Sequence, residues 1–254
     1  MEFNAIYVIV MREFKKFVRE RSRLVASVAR PLLWLFMVGA GLSRLVTPVE
    51  GFTYTQFIFP GILGLTILFS AIFSSISIIW DKEFGFLKEI LVAPVSRFSI
   101  VMGKALSGTV VSTIQAAIIL LFFPLLGFKL GVLSLLGVIV VCAMVAFSIS
   151  AFGIVLATFY ESYESFSVIM NFIVMPMFFL SGAMYPVKLL PQVLQLLSKV
   201  NPLSYGIDAL KHLIIPAGAG PMSPDFPFLL DMGVVIAISA VFVAVSARLF
   251  ERKA

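Results

Sequence analysis

The chain has 254 residues, 61% of them hydrophobic and 13% charged, and its mean hydropathy is +1.09. That composition excludes a soluble globular domain, because apolar runs of about 18 residues or more mark membrane-spanning helices. The net charge of +6 is no nucleic-acid footprint: the lysines and arginines gather at the ends of apolar runs and form no contiguous patch.

Residues 1–23 read as an amphipathic helix lying along a membrane surface. Phe3, Tyr7, Val10, Phe14 and Phe17/Val18 share one helical face, while Arg12, Lys15, Lys16, Arg19 and Glu20 share the other. A cleavable signal is not expected here, since the basic cluster follows the short apolar run instead of preceding it. Residues 24–254 then read as a six-span domain. The first span covers about Leu24–Val46, with Pro31 near one end and Arg30 and Arg44 reaching toward the two interfaces. A short outer loop, Thr47–Thr55, leads to the second span, about Phe57–Trp80.

The stretch Trp80–Lys104 is the most charged interior segment. Phe84, Leu87, Ile90 and Leu91 recur at helical spacing, so Asp81–Val92 reads as a short amphipathic helix. Ala93-Pro94 ends it, because the residue before a proline avoids the helical region. Ser96 is placed to cap the helix that re-enters the apolar run. A connection between spans needs only a few residues, and an ordered apolar face gains nothing in water. Segment 81–97 therefore reads as a surface on which another protein docks.

The third span covers about Phe98–Leu126, a tight turn follows over Gly127–Gly131, and the fourth span covers about Val132–Phe159. Cys142, the one cysteine, lies inside that fourth run, so no disulfide framework or thiolate metal site can form within the chain. After the acidic loop Tyr160–Ser165 comes the fifth span, about Phe166–Met184, with Pro176 inside it. Residues 185–215 hold two helices too short to cross a bilayer, which fits re-entrant or interfacial elements. A glycine- and proline-rich loop, Pro216–Pro227, precedes the last span, about Phe228–Phe250. The expected fold is an all-α polytopic membrane protein of six spans. With both termini inside, fourteen of the nineteen lysines and arginines fall on the cytoplasmic flanks, which sets the expected orientation in the cell membrane.

Catalytic and metal motifs do not emerge. Gly103-Lys104 lacks the upstream glycine of a phosphate-binding loop, and His212 alone cannot form HExxH. GxSxG does not occur. Two mixed stripes stand out instead. Ser70, Ser74 and Ser77 fall at i, i+4 and i+7 of the second span, beside Phe69 and Phe73. Met170, Asn171, Val174 and Phe178 form a comparable stripe on the fifth. Serines also serve helix packing, so packing and substrate contact both stay open for them.

Two segments carry a family resemblance. In the first, Asp81, Glu83, Gly85, Leu87, Ile90, Leu91, Pro94, Ser96 and Arg97 match the E-x-E-x-G-T-L-E-x-L-L-x-x-P-x-S-R loop of the type-2 ABC exporter permeases, with Asp for Glu at 81 and Ile for Leu at 90. Phe86 replaces the usual Thr, and Lys88-Glu89 approximates the acidic position. In the second, Ser181, Gly182, Pro186, Leu190, Pro191, Leu194 and the run Asn201, Pro202, Leu203, Ser204, Tyr205, Asp208, Ala209, Leu210, Lys211 match the pattern before the family's last span. The chain resembles the drug-resistance and nodulation-factor export branch most.

The resemblance implies a transmembrane permease subunit of an ATP-driven exporter, moving an amphiphilic drug, lipid or lipid-linked saccharide outward. It implies that Asp81, Glu83, Phe84, Gly85, Phe86, Leu87, Glu89, Ile90, Leu91 and Pro94 meet a separate ATPase subunit. ATP and Mg would be bound by that partner, with no cofactor in this chain. Two ATPase copies and a second permease, forming a homodimer, would complete the pump. The two stripes would line a central cavity. The competing reading is an ion- or proton-coupled secondary transporter, which calls for ionisable groups or broken helices near the midplane. The middles of the expected spans contain no Asp, Glu or Lys.

Overall fold

The computed structural model describes residues 2–43, 52–86, 92, 94–127, 130–215 and 220–252. The described helices are α1 (Glu2–Arg19), α2 (Arg21–Leu42), α3 (Tyr54–Glu83), α4 (Arg97–Leu120), α5 (Val132–Phe159), α6 (Tyr163–Phe179), α7 (Gln192–Val200), α8 (Pro202–Ile214) and α9 (Phe228–Arg252). Five of them, α2 from Leu24, α3, α4, α5 and α9, are long and apolar enough to cross a membrane, and α6 is a shorter apolar helix. The fold class expected from sequence holds: a helical, polytopic membrane protein.

Helix α3 is the axis of the bundle. It packs against α2, α4, α5, α6 and α8, and its apolar side chains are buried on nearly every face from Phe57 to Leu68. A helix hydrophobic all round can be stable only inside such a shell or in lipid. Its start is fixed by a capping box, in which Gln56 N–H donates to Thr53 Oγ1 and Thr53 N–H donates to Gln56 Oε1 at 2.9 Å. Gln56 Nε2 also donates to the Leu126 carbonyl at 2.9 Å, tying this end of α3 to the turn after α4.

Small residues set the close approaches. A Cβ on Gly64 of α3 would lie 2.6 Å from Ile207 of α8, and one on Gly206 of α8 would lie 2.7 Å from Val145 of α5. These gaps let α8, only 13 residues long, insert between α3, α5 and α9 with Leu203, Ile207, Ala209 and Leu210 fully buried. Asn201 starts α8 by accepting from Leu203 N–H, while its own Nδ2 donates to the Met177 carbonyl of α6 at 2.6 Å. The two short helices expected in 185–215 are present as α7 and α8, and they differ in kind. Helix α7 leaves Val193, Leu196, Leu197 and Val200 exposed, whereas α8 is a core element.

The amphipathic face of α1 is divided. Ile9, Glu13 and Phe17 turn toward the bundle, with Ile9 against Gly103 of α4 and Phe17 buried; Phe3, Tyr7 and Val18 stay exposed. One side thus docks on protein and the other is left for a lipid interface. Spans one, two, three, five and six shift by a few residues from the sequence expectation, and Val132–Phe159 matches it. Most of the loop Thr47–Thr55, and part of Pro216–Pro227, fall outside the described residues.

Overpacking the α3–α8 contact tests this arrangement. Gly64→Leu forces a side chain into Ile207 and should cost roughly 1–3 kcal/mol. The check is a fall in Tm of the detergent-purified protein, with Gly41→Ala, at a position open on all sides, as the unaffected comparison.

Candidate functional site

The bundle end that carries α1, the start of α4 and the end of α3 holds a buried ionic network. Lys104 Nζ, on the second turn of α4, lies 2.6 Å from Asp81 Oδ2 and 3.0 Å from Glu13 Oε1, and it donates to Ser77 Oγ at 3.0 Å. Arg12 Nη2 bridges the same two carboxylates, at 3.1 Å from Asp81 and 2.7 Å from Glu13. Two cations and two anions cancel, and the three donors of the ammonium are all used, which is what an ion taken out of water requires. Burial pushes the Glu13 carboxyl up, but Lys104 and Arg12 outweigh it and hold Glu13 below the ordinary glutamate range. For a carboxylate depressed in the folded state, the stabilisation is present above its unfolded pKa and is lost as pH falls through the folded value.

This network corrects one sequence expectation. Asp81 was expected to open a separate amphipathic helix; it belongs to the last turn of α3 and is buried against α1 and α4. Its neighbour Lys82 points elsewhere, donating to the carbonyls of Ala157, Thr158 and Tyr160 at 2.7, 3.1 and 3.1 Å. A cation on the last carbonyls at the end of α5 meets the negative pole of that helix. The end of α3 is therefore fastened to α1, α4 and α5 by two consecutive side chains.

The chain leaves α3 through Gly85, whose φ of +79° is a left-handed conformation that disfavours a side chain, and whose N–H donates to the Lys82 carbonyl at 3.1 Å. On either side of that break Phe84, Phe86 and Val92 stand 69%, 54% and 86% exposed, with Glu83 and Pro94 also at the surface. Leu87, Glu89, Ile90 and Leu91 lie outside the described residues. Ser96 caps α4 as expected, accepting from Ser99 N–H at 3.2 Å; its hydroxyl and that of Ser99 both donate to Glu2 of α1.

The α3 stripe runs from this network into the bundle. Ser77 is the Lys104 partner, and Ser74 faces the close approach of α4 at Gly108. Farther along, Phe69 and Phe73 stack with centroids 6.1 Å apart, and with Ser70 they line a cavity of about 220 Å³. Its other walls are Ala26, Ser27, Arg30 and Pro31 of α2, Leu65 and Thr66 of α3, and Gln115 of α4. The α6 stripe does not join it within one chain. Met170, Val174 and Phe178 are buried in the core, with Phe178 edge-on to Trp34 of α2, while Asn171 faces outward and donates to the Ser167 carbonyl. Arg30 and Gln115 escaped the sequence reading. In sequence Arg30 looks like a flank that reaches for the interface, and a lone glutamine in an apolar run carries no local signal of a cavity.

The opposite end is organised by the second matched segment. Asp208 of α8 accepts the N–H groups of Asp225 and Phe226 at 2.8–2.9 Å, and buried Lys211 lies 3.7 Å from Asp208 and 3.6 Å from Asp225. This clamp sets the entry into α9. Donor atoms of Asp208, His212 and Asp231 lie within 4.8 Å of one another. His212 Nε2 contacts the Phe226 carbonyl at 2.8 Å, so that nitrogen carries a proton and offers no lone pair to a metal.

Breaking the Lys104 network should loosen α1. Lys104→Met leaves two carboxylates facing each other without their shared ammonium, at a cost of roughly 3–5 kcal/mol. Limited trypsin digestion should then cut at Lys15, Lys16 or Arg19 in the variant well before it does so in the parent. The double variant Asp81→Asn/Lys104→Met should regain part of the protection.

The arrangement has relatives. Residues 4–215 match the ABC-2 type transporter family. The ycf38 protein of Cyanophora paradoxa, which carries a transport-permease name, is 32% identical over 97% of this chain and 88% of its own. Nodulation protein J of Rhizobium leguminosarum bv. viciae is 28% identical over 91% of this chain and 88% of its own. The inner membrane transport permease YadH of Escherichia coli K12 is 26% identical over 98% and 95%. The chain belongs to the ABC-2 type transporter family and is a multi-pass membrane protein, a transport permease of that family.

Proposed function

We propose that the chain is the transmembrane half of an ATP-driven exporter that moves an amphiphilic substrate outward. The observation that carries the reading is the exposed apolar surface of Phe84, Phe86 and Val92, hung directly from the fastened end of α3. Apolar side chains at a membrane protein's water-facing end are costly unless a partner covers them. The partner in this reading is an ATP-binding cassette subunit that carries ATP and Mg. Asp81 and Lys82 then pass its movement on: displacement of the exposed segment pulls on α1, α4 and α5 together. Two permease copies, forming a homodimer, and two ATPase copies make the pump. ATP-driven closure of the ATPase pair shifts the permeases from an inward-open to an outward-open state.

In this reading the substrate passes along the α3 stripe, where Phe69 and Phe73 offer apolar surface and Ser70 a hydroxyl. Asn171, with Met170, Val174 and Phe178, contributes from α6 where two copies meet. Both termini and the exposed segment face the cytoplasm, as the distribution of basic residues favours.

Two measurements test this. In a Cys142→Ser background, Val200→Cys should react with an impermeant thiol reagent added outside and Val92→Cys only after the membrane is opened; the reverse pattern would invert the orientation. Phe86→Asp should abolish co-purification of the ATPase subunit and transport while the permease remains folded and inserted. Full co-purification in that variant would remove the exposed segment from the docking surface.

A further inference from the structure

Arg30 sits where a charge is expensive. Its guanidinium carbon lies 5.8 Å from the Phe69 ring centroid. Phe69 is the sixteenth of the 30 residues of α3 and lies twelve residues before Asp81, which at about 1.5 Å per residue is roughly 18 Å along the helix. The guanidinium is therefore level with the middle of α3 and not stretched toward an interface. No described carboxylate pairs with it, and its recorded contact is the face of an aromatic ring. The described residues of a second copy offer no counter-charge at that depth. Among the described residues the acidic side chains lie in α1, between helices, near the ends of spans or at the α8–α9 end, and none lies in the middle of a span. An arginine at this depth needs an anion or a wet cavity.

The surroundings are built for a guest with a polar head. Gln115 is 3% exposed, lines the same cavity, and its Oε1 has no hydrogen-bond partner; Ser70 Oγ is likewise buried and unpaired. Thr66, by contrast, is satisfied by the Ile62 carbonyl at 2.8 Å. A half-turn of the Gln115 amide presents two N–H donors in place of the oxygen, and Ser70 can donate one more. A planar guanidinium lining the same cavity as an amide and a hydroxyl suits a tetrahedral oxyanion, which a guanidinium can hold by bidentate contact. The stacked Phe69 and Phe73 rings, with Leu65 and Pro31, supply an apolar wall next to that head. A neutral saccharide could use the amide and hydroxyl but would leave the guanidinium uncompensated.

We propose that the cavity between α2, α3 and α4 binds the anionic, phosphate-type head of an amphiphile, with Arg30 as its charge partner and Gln115 and Ser70 as its hydrogen-bonding partners. The proposal rests on the reading of the α3 stripe as the substrate path and narrows its cargo to anionic amphiphiles. The apolar chain of the ligand leaves the cavity on the open side, over Ala29, Leu33, Trp34 and Met37 of α2.

Trp34 makes the test direct. The chain has two tryptophans, so Trp80→Phe leaves Trp34 alone as a reporter beside Arg30. The purified permease, in a neutral maltoside detergent and without any ATPase partner, is titrated with 12-bromododecyl phosphate and with 12-bromododecyl trimethylammonium. The phosphate should quench Trp34 at a concentration at least tenfold lower than the ammonium compound. Arg30→Gln should erase that preference, Arg30→Lys should keep most of it, and Gln115→Leu should weaken phosphate binding severalfold. Inorganic phosphate should displace the probe only at far higher concentration. Equal quenching by both probes, an unchanged preference in Arg30→Gln, or displacement by inorganic phosphate at the probe's own concentration would overturn the proposal. Binding is read without transport, so the two readings fail differently. Retained phosphate preference with transport indifferent to Phe73→Ala would sink the path and leave the anion site standing.

Discussion

A single ammonium group, Lys104 Nζ, ties together three segments that are far apart in the chain. It joins Glu13 of α1 and Ser77 and Asp81 of α3 to its own helix α4, and Arg12 closes the ring. A lysine at this depth is tolerable only while both carboxylates are present, and each carboxylate is tolerable only while the cations are. The group behaves as a unit in which no member can be lost alone. That mutual dependence gives α1 a fixed seat. Without it, the exposed Phe3, Tyr7 and Val18 would compete to draw the helix fully into the lipid interface.

The same construction explains why the neighbouring surface can move something. Lys82, the next residue after Asp81, holds the end of α5 through three carbonyls. The side chains of Asp81 and Lys82 diverge to different neighbours, as successive residues about 100° apart on a helix do. A push on the chain just beyond Gly85 therefore reaches α1, α4 and α5 through hydrogen bonds and ion pairs, not through soft apolar contact. Apolar packing alone would allow α3 to slide past its neighbours. Directional bonds at its end resist that.

Much of the fold was legible because membrane helices announce themselves by length and apolarity. Val132–Phe159 contains no charged residue, and its boundaries follow from Gly131 and Tyr160. Spans with charge near their ends were less clear. The heptad-like spacing of Phe84, Leu87 and Leu91 suggested that Asp81 belonged to a new helix, yet α3 runs on through Glu83. The reason lies in partners distant in sequence: Asp81 is sequestered by Lys104 and Arg12, which no local pattern reveals. Arg30 and Gln115 were hidden for a similar reason. Polar residues in an apolar run acquire meaning only when the fold shows that one faces an aromatic ring and the other an empty space. The serines of α3 divide along the same line, with Ser77 paired, Ser74 at a helix crossing and Ser70 facing the cavity.

The lengths of α5 and α6 are unequal in a way that the surrounding lipid must accommodate. Helix α5 has 28 residues and α6 has 17, so at about 1.5 Å per residue they extend roughly 42 Å and 26 Å. A bilayer core of about 30 Å is too thin for the first and too thick for the second. Tilt can absorb the excess of α5, but nothing within α6 can lengthen it, since the chain turns away at left-handed Gly182. A bilayer that α6 crosses is drawn thin on that side of the bundle, at a cost of fractions of a kcal/mol per Å of mismatch. Where a bilayer is thinned in this way, an acyl chain has the least to lose by leaving its neighbours.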